Sequence, residues 1–201
     1  MWWTCAVAFV IGMVFGWHKI RSSAEPLPVP KSLASFDRVD LRLTHPFPEV
    51  AENANAPRNL RVWLYSGHEL AGPPLATSVQ RPVFDKYTPW LKSFVEEKLN
   101  NDSSNFSLKM RGWITFPSAR AVMYIRSEKG YRVHFRNASG EEQTVGHWTD
   151  DWTDDAVFGA NVEPGRYEIE IDYFNTGDGG YFEFSTTPNA ALVAAPDSTT
   201  P

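Results

Sequence analysis

The chain has almost no cysteine: Cys5 stands alone among 201 residues. One thiol excludes an intrachain disulfide framework and a thiolate metal centre. Charge of one sign is also in short supply. Nineteen Lys and Arg against 24 Asp and Glu leave a formal net charge of −5, and no basic stripe appears, which excludes a nucleic-acid partner. Histidine is scarce, and His18, His45, His68, His134 and His147 show no metal-ligand spacing. Ser66-Gly67-His68 lacks the flanking glycines of a nucleophile elbow. His134 alternates with Arg132 and Arg136, as on a polar sheet face. Glu168, Glu170 and Asp172 fall on every second residue, opposite Tyr167, Ile169, Ile171 and Tyr173. That is the pattern of a solvated strand face, not of an acid and a base facing each other in a cleft. The expectation is a protein that is not an enzyme.

Aromatic residues are plentiful: eight Trp, seven Tyr and thirteen Phe. Such side chains favour strands and interfaces, so the chain leans towards a β-rich binding or docking protein. Trp2 to Trp17 runs without a charge. As a helix it would span roughly 24 Å, slightly short of the ~30 Å hydrocarbon layer. Trp2, Trp3 and Trp17 bracket the run, where indoles settle at the headgroups. Residues 1–21 are therefore expected to form a single transmembrane anchor that contacts the lipid bilayer through residues 2–17. The competing reading is a cleaved signal peptide ending near Ser22-Ser23-Ala24, but the basic segment that should precede the apolar run is missing. Lys19 and Arg21 follow the run and argue for a cytoplasmic domain; the expected domain type argues for a periplasmic or otherwise extracytoplasmic one.

Pro26, Pro28 and Pro30 make residues 22–58 an extended tether with a wrapping segment near Phe36–Leu43. A domain is expected over 59–187 and a flexible tail over 188–201. Within the domain, Leu60–Tyr65 alternates. So does Phe106–Phe116, with Phe106, Leu108, Met110, Gly112, Ile114 and Phe116 on one side. Two-residue periodicity marks half-buried strands. Further strands are expected at Ala121–Ile125, Tyr131–Phe135, Tyr167–Phe174 and Tyr181–Phe184, separated by glycine and proline turns. One helix interrupts them: Thr88 reads as its N-cap, Pro89 as its first residue, and Trp90, Leu91, Phe94, Val95 and Leu99 as one apolar face. The fold class expected is all-β, an antiparallel β-sandwich of jelly-roll type with one inserted helix, preceded by a transmembrane helix.

Three stretches carry a family resemblance: LRVWLYSGHELAGPPLATSVQRPVF at Leu60–Phe84, FSLKMRGWITFPSARAVMYIRSEKG at Phe106–Gly130, and EPGRYEIEIDYFNTGDGGYFEFS at Glu163–Ser185. In order and spacing they resemble the β-sandwich module shared by anthrax protective antigen, yeast flocculins and many bacterial glycosidases and surface proteins, the PA-fourteen family. The likeness runs from about Asn59 to Thr187, and the helix looks like an insertion. The resemblance implies a carbohydrate-binding module. Sugar-binding members carry paired aspartates before a glycine that hold Ca²⁺; here those positions read Glu128 and Lys129. A lysine ammonium supplies no ligand and repels a cation, which speaks against calcium-dependent binding by that loop.

The other acidic feature is a doubled Trp-Thr-Asp-Asp. Asp150, Asp151, Asp154 and Asp155 could gather Ca²⁺ while Trp148 and Trp152 stack on a sugar. The alternative is an acidic helical turn whose tryptophans dock elsewhere. Trp63 and Trp113 lie opposite their strands' aliphatic residues and would anchor a partner if exposed. With Trp2, Trp3, Trp17, Trp148 and Trp152 they form the expected partner-binding set. Two functions follow. The first is a structural accessory subunit that braces neighbouring subunits of a membrane complex, respiratory or photosynthetic for example. The second is a surface-anchored carbohydrate-binding module. No cofactor is expected, Ca²⁺ at Asp150, Asp151, Asp154 and Asp155 being the sole candidate.

Overall fold

Strict alternation at Phe106–Phe116 gives one long strand, and everything else is arranged around it. The structure is a computed structural model, and it describes residues 37–39, 59–117, 119–150, 154–177, 180–186 and 191–196. In chain order the first elements are β1 (Asp37–Val39), β2 (Leu60–Ser66), β3 (Ala76–Gln80), β4 (Val83–Phe84) and α1 (Pro89–Lys98). There follow β5 (Asn105–Phe116), β6 (Arg120–Ser127), β7 (Tyr131–Arg136) and β8 (Glu142–His147). The last are β9 (Asp154–Asn161), β10 (Gly165–Thr176), β11 (Phe182–Thr186) and β12 (Ala191–Ala194). The expected transmembrane helix at 1–21 lies outside the described residues. Among the described residues, no helix is long and apolar enough to cross a membrane.

The strands make two antiparallel sheets. One runs β1-β9-β6-β11-β4; the other runs β3-β2-β5-β10-β7-β8, with β12 also paired to β5. β5 and β10 are the spine of the second sheet, in register from Phe116↔Gly165 to Asn105↔Thr176. Side chains alternate as the sequence pattern requires. Leu60, Val62 and Leu64 of β2, Leu108, Met110 and Ile114 of β5, and Ile169, Ile171 and Tyr173 of β10 are fully buried. They meet Met123 and Ile125 of β6 and Phe182 and Phe184 of β11 in a single core. Sheet on sheet, each burying one alternating face, is the two-layer solution such sequences favour.

The helix face is as the spacing implies. Leu91 and Val95 are buried, and Trp90, Phe94 and Leu99 pack against the same core. Trp90 meets Phe84 edge-on at 5.5 Å, so α1 closes over the β4 edge. Thr88 stands at the N-cap but makes no side-chain bond to the helix. Its hydroxyl instead donates to Asp85 Oδ1 (3.0 Å) and accepts the Asp85 N–H (2.9 Å).

The tail departs from expectation. Residues 188–201 read as structureless, yet Ala191–Ala194 form β12 opposite Gly112–Thr115, on the edge of β5 that β2 leaves free beyond Arg111. Gly112 makes this approach feasible. A Cβ there would collide with the Val193 carbonyl oxygen and come within 2.7 Å of Leu60 Cδ2. Leu192 and Ala195 are buried, and Arg61 Nε donates to the Ala195 carbonyl at 2.8 Å.

Candidate functional site

The register brings many loops to one end of the sandwich. Ser66 at the end of β2 faces Phe106 at the start of β5, which faces Asn175 near the end of β10. Tyr131 at the start of β7 faces Tyr173 and His147, and Ser127 at the end of β6 faces Phe182 and Asp154. The turns after β2, β6, β8 and β10, and the chain entering β5, therefore converge there.

At this end lies an open pocket of about 350 Å³. Its floor is apolar, with Leu91 and Val95 from α1 and Phe106 from β5, each at most 7% exposed. Its rim is polar. Lys86 and Tyr87 come from the turn before α1, Lys92 and Glu96 from the outer side of α1, and Asn101 and Ser103 from the chain leading into β5. Tyr87 is 74% exposed, an unusual state for so large an aromatic side chain. Its backbone is held there: the Tyr87 N–H donates to Asp85 Oδ1 at 2.9 Å, and the Thr88 N–H to the Asp85 carbonyl at 3.0 Å. This Asx turn uses the Asp85 carboxylate internally.

Asn101, which lines the pocket, and its neighbour Asn100 have φ of 66° and 52°. Two successive asparagines in left-handed conformation end the helix, a conformation their short amides tolerate better than other side chains do. The Asn101 N–H donates to the Val95 carbonyl at 3.2 Å, fixing its position over the last helical turn. Asn175 Nδ2 donates to the carbonyls of Ser103 and Gly177 at 2.7 and 3.0 Å, which ties the β5 entry to the loop after β10. A pocket with an apolar floor, a presented aromatic ring and amide, hydroxyl and ammonium groups around it has the chemistry of a small-molecule site.

The outer face of the larger sheet is a lattice of ions. Lys109 Nζ lies 2.5 Å from Glu170 and 3.3 Å from Asp172, Arg111 reaches Glu168 (2.6 Å) and Glu170 (3.1 Å), and Arg132 reaches Asp172 at 2.8 Å. Asp172 was expected on a solvated face but is only 3% exposed. Burial pushes its carboxyl up; the His134 hydrogen bond and the charges of Lys109 and Arg132 outweigh this and hold it below the ordinary carboxylate value. Arg136 bonds Glu142, whose carboxyl is likewise held low, chiefly by that hydrogen bond. Ligand atoms of His134, Glu170 and Asp172 fall within 4.8 Å of one another, a grouping with the geometry of a metal site. The Lys109 ammonium and the Arg132 guanidinium already supply the positive charge those carboxylates require. The chemistry is that of an ion-pair lattice.

The residues singled out from sequence are dispersed. Trp63 is 4% exposed, so burial removes it as a surface anchor. Trp113 lies on the outer face under the Arg166 guanidinium, 4.2 Å from the ring centroid. Trp148 packs on Phe174 at 4.7 Å and carries Arg132 over its ring at 4.2 Å, a contact favourable in both its stacking and its charge. Trp2, Trp3, Trp17, Trp152 and Asp151 lie outside the described residues. Asp154 and Asp155 open β9, their backbones opposite Ser127 and Arg126. Residues 148–150 are not helical. Asp150 accepts a hydrogen bond from the Thr176 hydroxyl and lies 3.4 Å from Lys129 Nζ. The Thr176 bond first, and then Lys129, hold its carboxyl below the usual value. Glu128 Oε2 accepts the Gly180 N–H at 3.3 Å. In the turn where the family resemblance implies paired aspartates, a lysine thus pairs with a carboxylate of the neighbouring loop.

The chain is a two-sheet antiparallel sandwich with an open cavity at its loop end. No family model matches the chain, and no curated protein matches it. Solved structures do. An anti-sigma factor domain-containing protein is similar over 77% of this chain and 49% of its own, at 17% identity and TM-score 0.50; this chain spans about half of that protein's length. A PA14 sugar-binding domain from an RTX adhesin matches over 69% of this chain and 96% of its own, at 14% identity and TM-score 0.46. The Epithelial Adhesin 9 A domain of Candida glabrata, solved with Galβ1-3GlcNAc, matches over 81% and 88%, at 13% identity and TM-score 0.44. At such identities the likeness is one of fold alone.

Proposed function

We propose that the sandwich is a carbohydrate-binding module that takes a saccharide at its loop end, in the pocket beside Tyr87. One observation carries the reading: an exposed aromatic ring, on a backbone fixed by an Asx turn, stands beside a cavity whose floor is apolar and whose rim residues carry amide, hydroxyl, ammonium and carboxylate groups. A pyranose presents one apolar face and a girdle of hydroxyls, and that combination matches such a surface. On this reading the module binds its saccharide and does not cleave it.

The bracing-subunit reading drew on outward tryptophans, and the burial of Trp63 takes away part of its motive. The anchor over residues 1–21 and an extracytoplasmic placement remain part of the proposal; they suit a surface-held lectin. The test is titration of the intact protein, in mild detergent, with a panel of oligosaccharides. Micromolar to millimolar binding of at least one is expected, with a loss of about tenfold or more in Tyr87→Ala, because removing a central aromatic anchor commonly costs ~2 kcal/mol. Binding that survives Tyr87→Ala undiminished contradicts the assignment of the site.

A further inference from the structure

We infer that the pocket selects sugars bearing an acetamido group, the N-acetylhexosamines foremost. The inference rests on the carbohydrate reading above and narrows it. The charged groups that line the cavity are already engaged. Lys92 Nζ pairs with Glu96 at 3.5 Å, and Lys86 Nζ lies 5.3 Å from the centroid of the Tyr87 ring. The side chains left for a ligand are neutral ones. Asn101 and Ser103 line the same pocket, and among the described residues neither side chain has a hydrogen-bond partner. Their backbones are fixed all the same. The Asn101 N–H donates to the Val95 carbonyl at 3.2 Å, the Ser103 N–H to the Asn101 carbonyl at 3.1 Å, and the Ser103 carbonyl accepts Asn175 Nδ2 at 2.7 Å. Asp102, between them, spends its carboxylate on the Ser104 N–H and hydroxyl at 2.9 and 2.5 Å. A carboxamide and a hydroxyl are thus held at the pocket with their hydrogen-bonding capacity unused.

The floor sets a second requirement. Leu91, Val95 and Phe106 are apolar and at most 7% exposed. A sugar hydroxyl set against them loses its water and gains no partner. Among common ring substituents, a hydroxyl has no apolar part, a carboxylate or sulfate only accepts and carries charge, and an ammonium only donates. An acetamido group combines a methyl for the floor with an N–H and a carbonyl. That pair matches a carboxamide donor for acceptor, and the Ser103 hydroxyl can serve either end. Tyr87, 74% exposed beside the cavity, suits the apolar face of the same sugar ring. A deoxy sugar such as fucose offers a methyl without the amide and meets only half of these conditions.

The experiment compares sugars that differ in this one substituent. The intact protein in mild detergent is titrated with chitotriose, its fully de-N-acetylated form and cellotriose, which share one backbone and linkage. The methyl glycosides of N-acetylgalactosamine, galactose and fucose make a second set. In at least one set the acetamido sugar is expected to bind about tenfold or more tighter than its hydroxyl counterpart, the combined effect of a buried methyl and one or two net hydrogen bonds. Added salt should leave that advantage unchanged, because no charge is involved. In the Asn101→Gly/Ser103→Ala double variant the advantage falls to within about fourfold, the share of the methyl. Glycine accepts φ 66° at position 101, and thermal unfolding checks that the variant is folded. Val95→Thr keeps the shape of the floor while adding a hydroxyl, and it should reduce the advantage independently. A preference that survives both variants overturns the assignment to these residues. If the fucoside or the de-N-acetylated trimer outranks its hydroxyl counterpart while the acetamido sugars do not, the acetamido selectivity is overturned in favour of that group. Equal binding of acetamido and hydroxyl members, or binding only of saccharides without acetamido groups, overturns the selectivity and leaves the carbohydrate reading intact. If no saccharide of any kind binds at millimolar concentration, both fail.

Discussion

Replacing Gly112 by alanine should lift β12 off the sandwich. The added methyl would collide with the Val193 carbonyl oxygen and reach Leu60 Cδ2 at 2.7 Å. The leucine tip can rotate away, but the carbonyl belongs to the backbone of β12 and cannot move without the strand. The cost is bounded by what β12 contributes. Burial of Leu192 stabilises by ~2 kcal/mol, and the Arg61–Ala195 hydrogen bond adds about 1 kcal/mol. The expected loss is therefore ~1–3 kcal/mol, which is also the usual range for overpacking a close contact. Urea unfolding of four proteins measures it: wild type, Gly112→Ala, a chain ending at Ala190, and the combination. In the shortened chain the obstructing carbonyl is gone, so the substitution should cost under about 1 kcal/mol, which gives a coupling of at least 1 kcal/mol. Equal costs in the two backgrounds would refute the view that Gly112 is there to admit β12.

The Asp172 carboxyl is held below its ordinary value, so the native state binds fewer protons than the unfolded chain does near and below pH 4. Its contribution is full above the unfolded Asp pKa of about 3.9 and is lost as pH falls through the lower native value. Urea midpoints should thus drop steeply between about pH 4 and 2, and Asp172→Asn should flatten that drop. At pH 7 the same variant should cost about 2 kcal/mol, less than a fully buried pair because Arg132 is 38% exposed; a flat acid limb in the wild type would contradict this. For Asn101→Gly the expectation is split: stability is unchanged or rises by up to ~1 kcal/mol, since glycine accepts φ 66° without strain. Saccharide affinity should fall several-fold with the lost amide, and calorimetry beside urea unfolding reads both.

Much of the fold could be read from alternation. Phe106–Phe116 and Tyr167–Phe174 have the two-residue period of half-buried strands, and the structure makes them the paired spine β5–β10. The apolar face of α1 was equally plain, because Leu91, Val95 and Leu99 recur at helical spacing. β12 was not. Ala-Leu-Val-Ala in a proline- and threonine-rich tail has too little pattern of its own, and its strand character comes from the free edge of β5 and the missing Cβ of Gly112. Alternation placed Asp172 on the outer face correctly, but burial there depends on what sits across the ladder. The register sets Lys109 on one side and Arg132 on the other. The pocket was the least legible feature. It joins residues near 87, 92, 101, 106 and 180, and only the sheet register shows that these meet. Its local signals were faint: an Asp85–Thr88 turn and the Asn100-Asn101 pair.

The most direct test of the central claim is amide chemical-shift mapping of the intact protein with a bound oligosaccharide. The largest perturbations are expected on Tyr87, Lys92, Asn101, Ser103 and Gly180, around one cavity. Perturbations confined to the Asp150–Lys129 loops or to the ion lattice around Asp172, with the Tyr87 pocket silent, would contradict it.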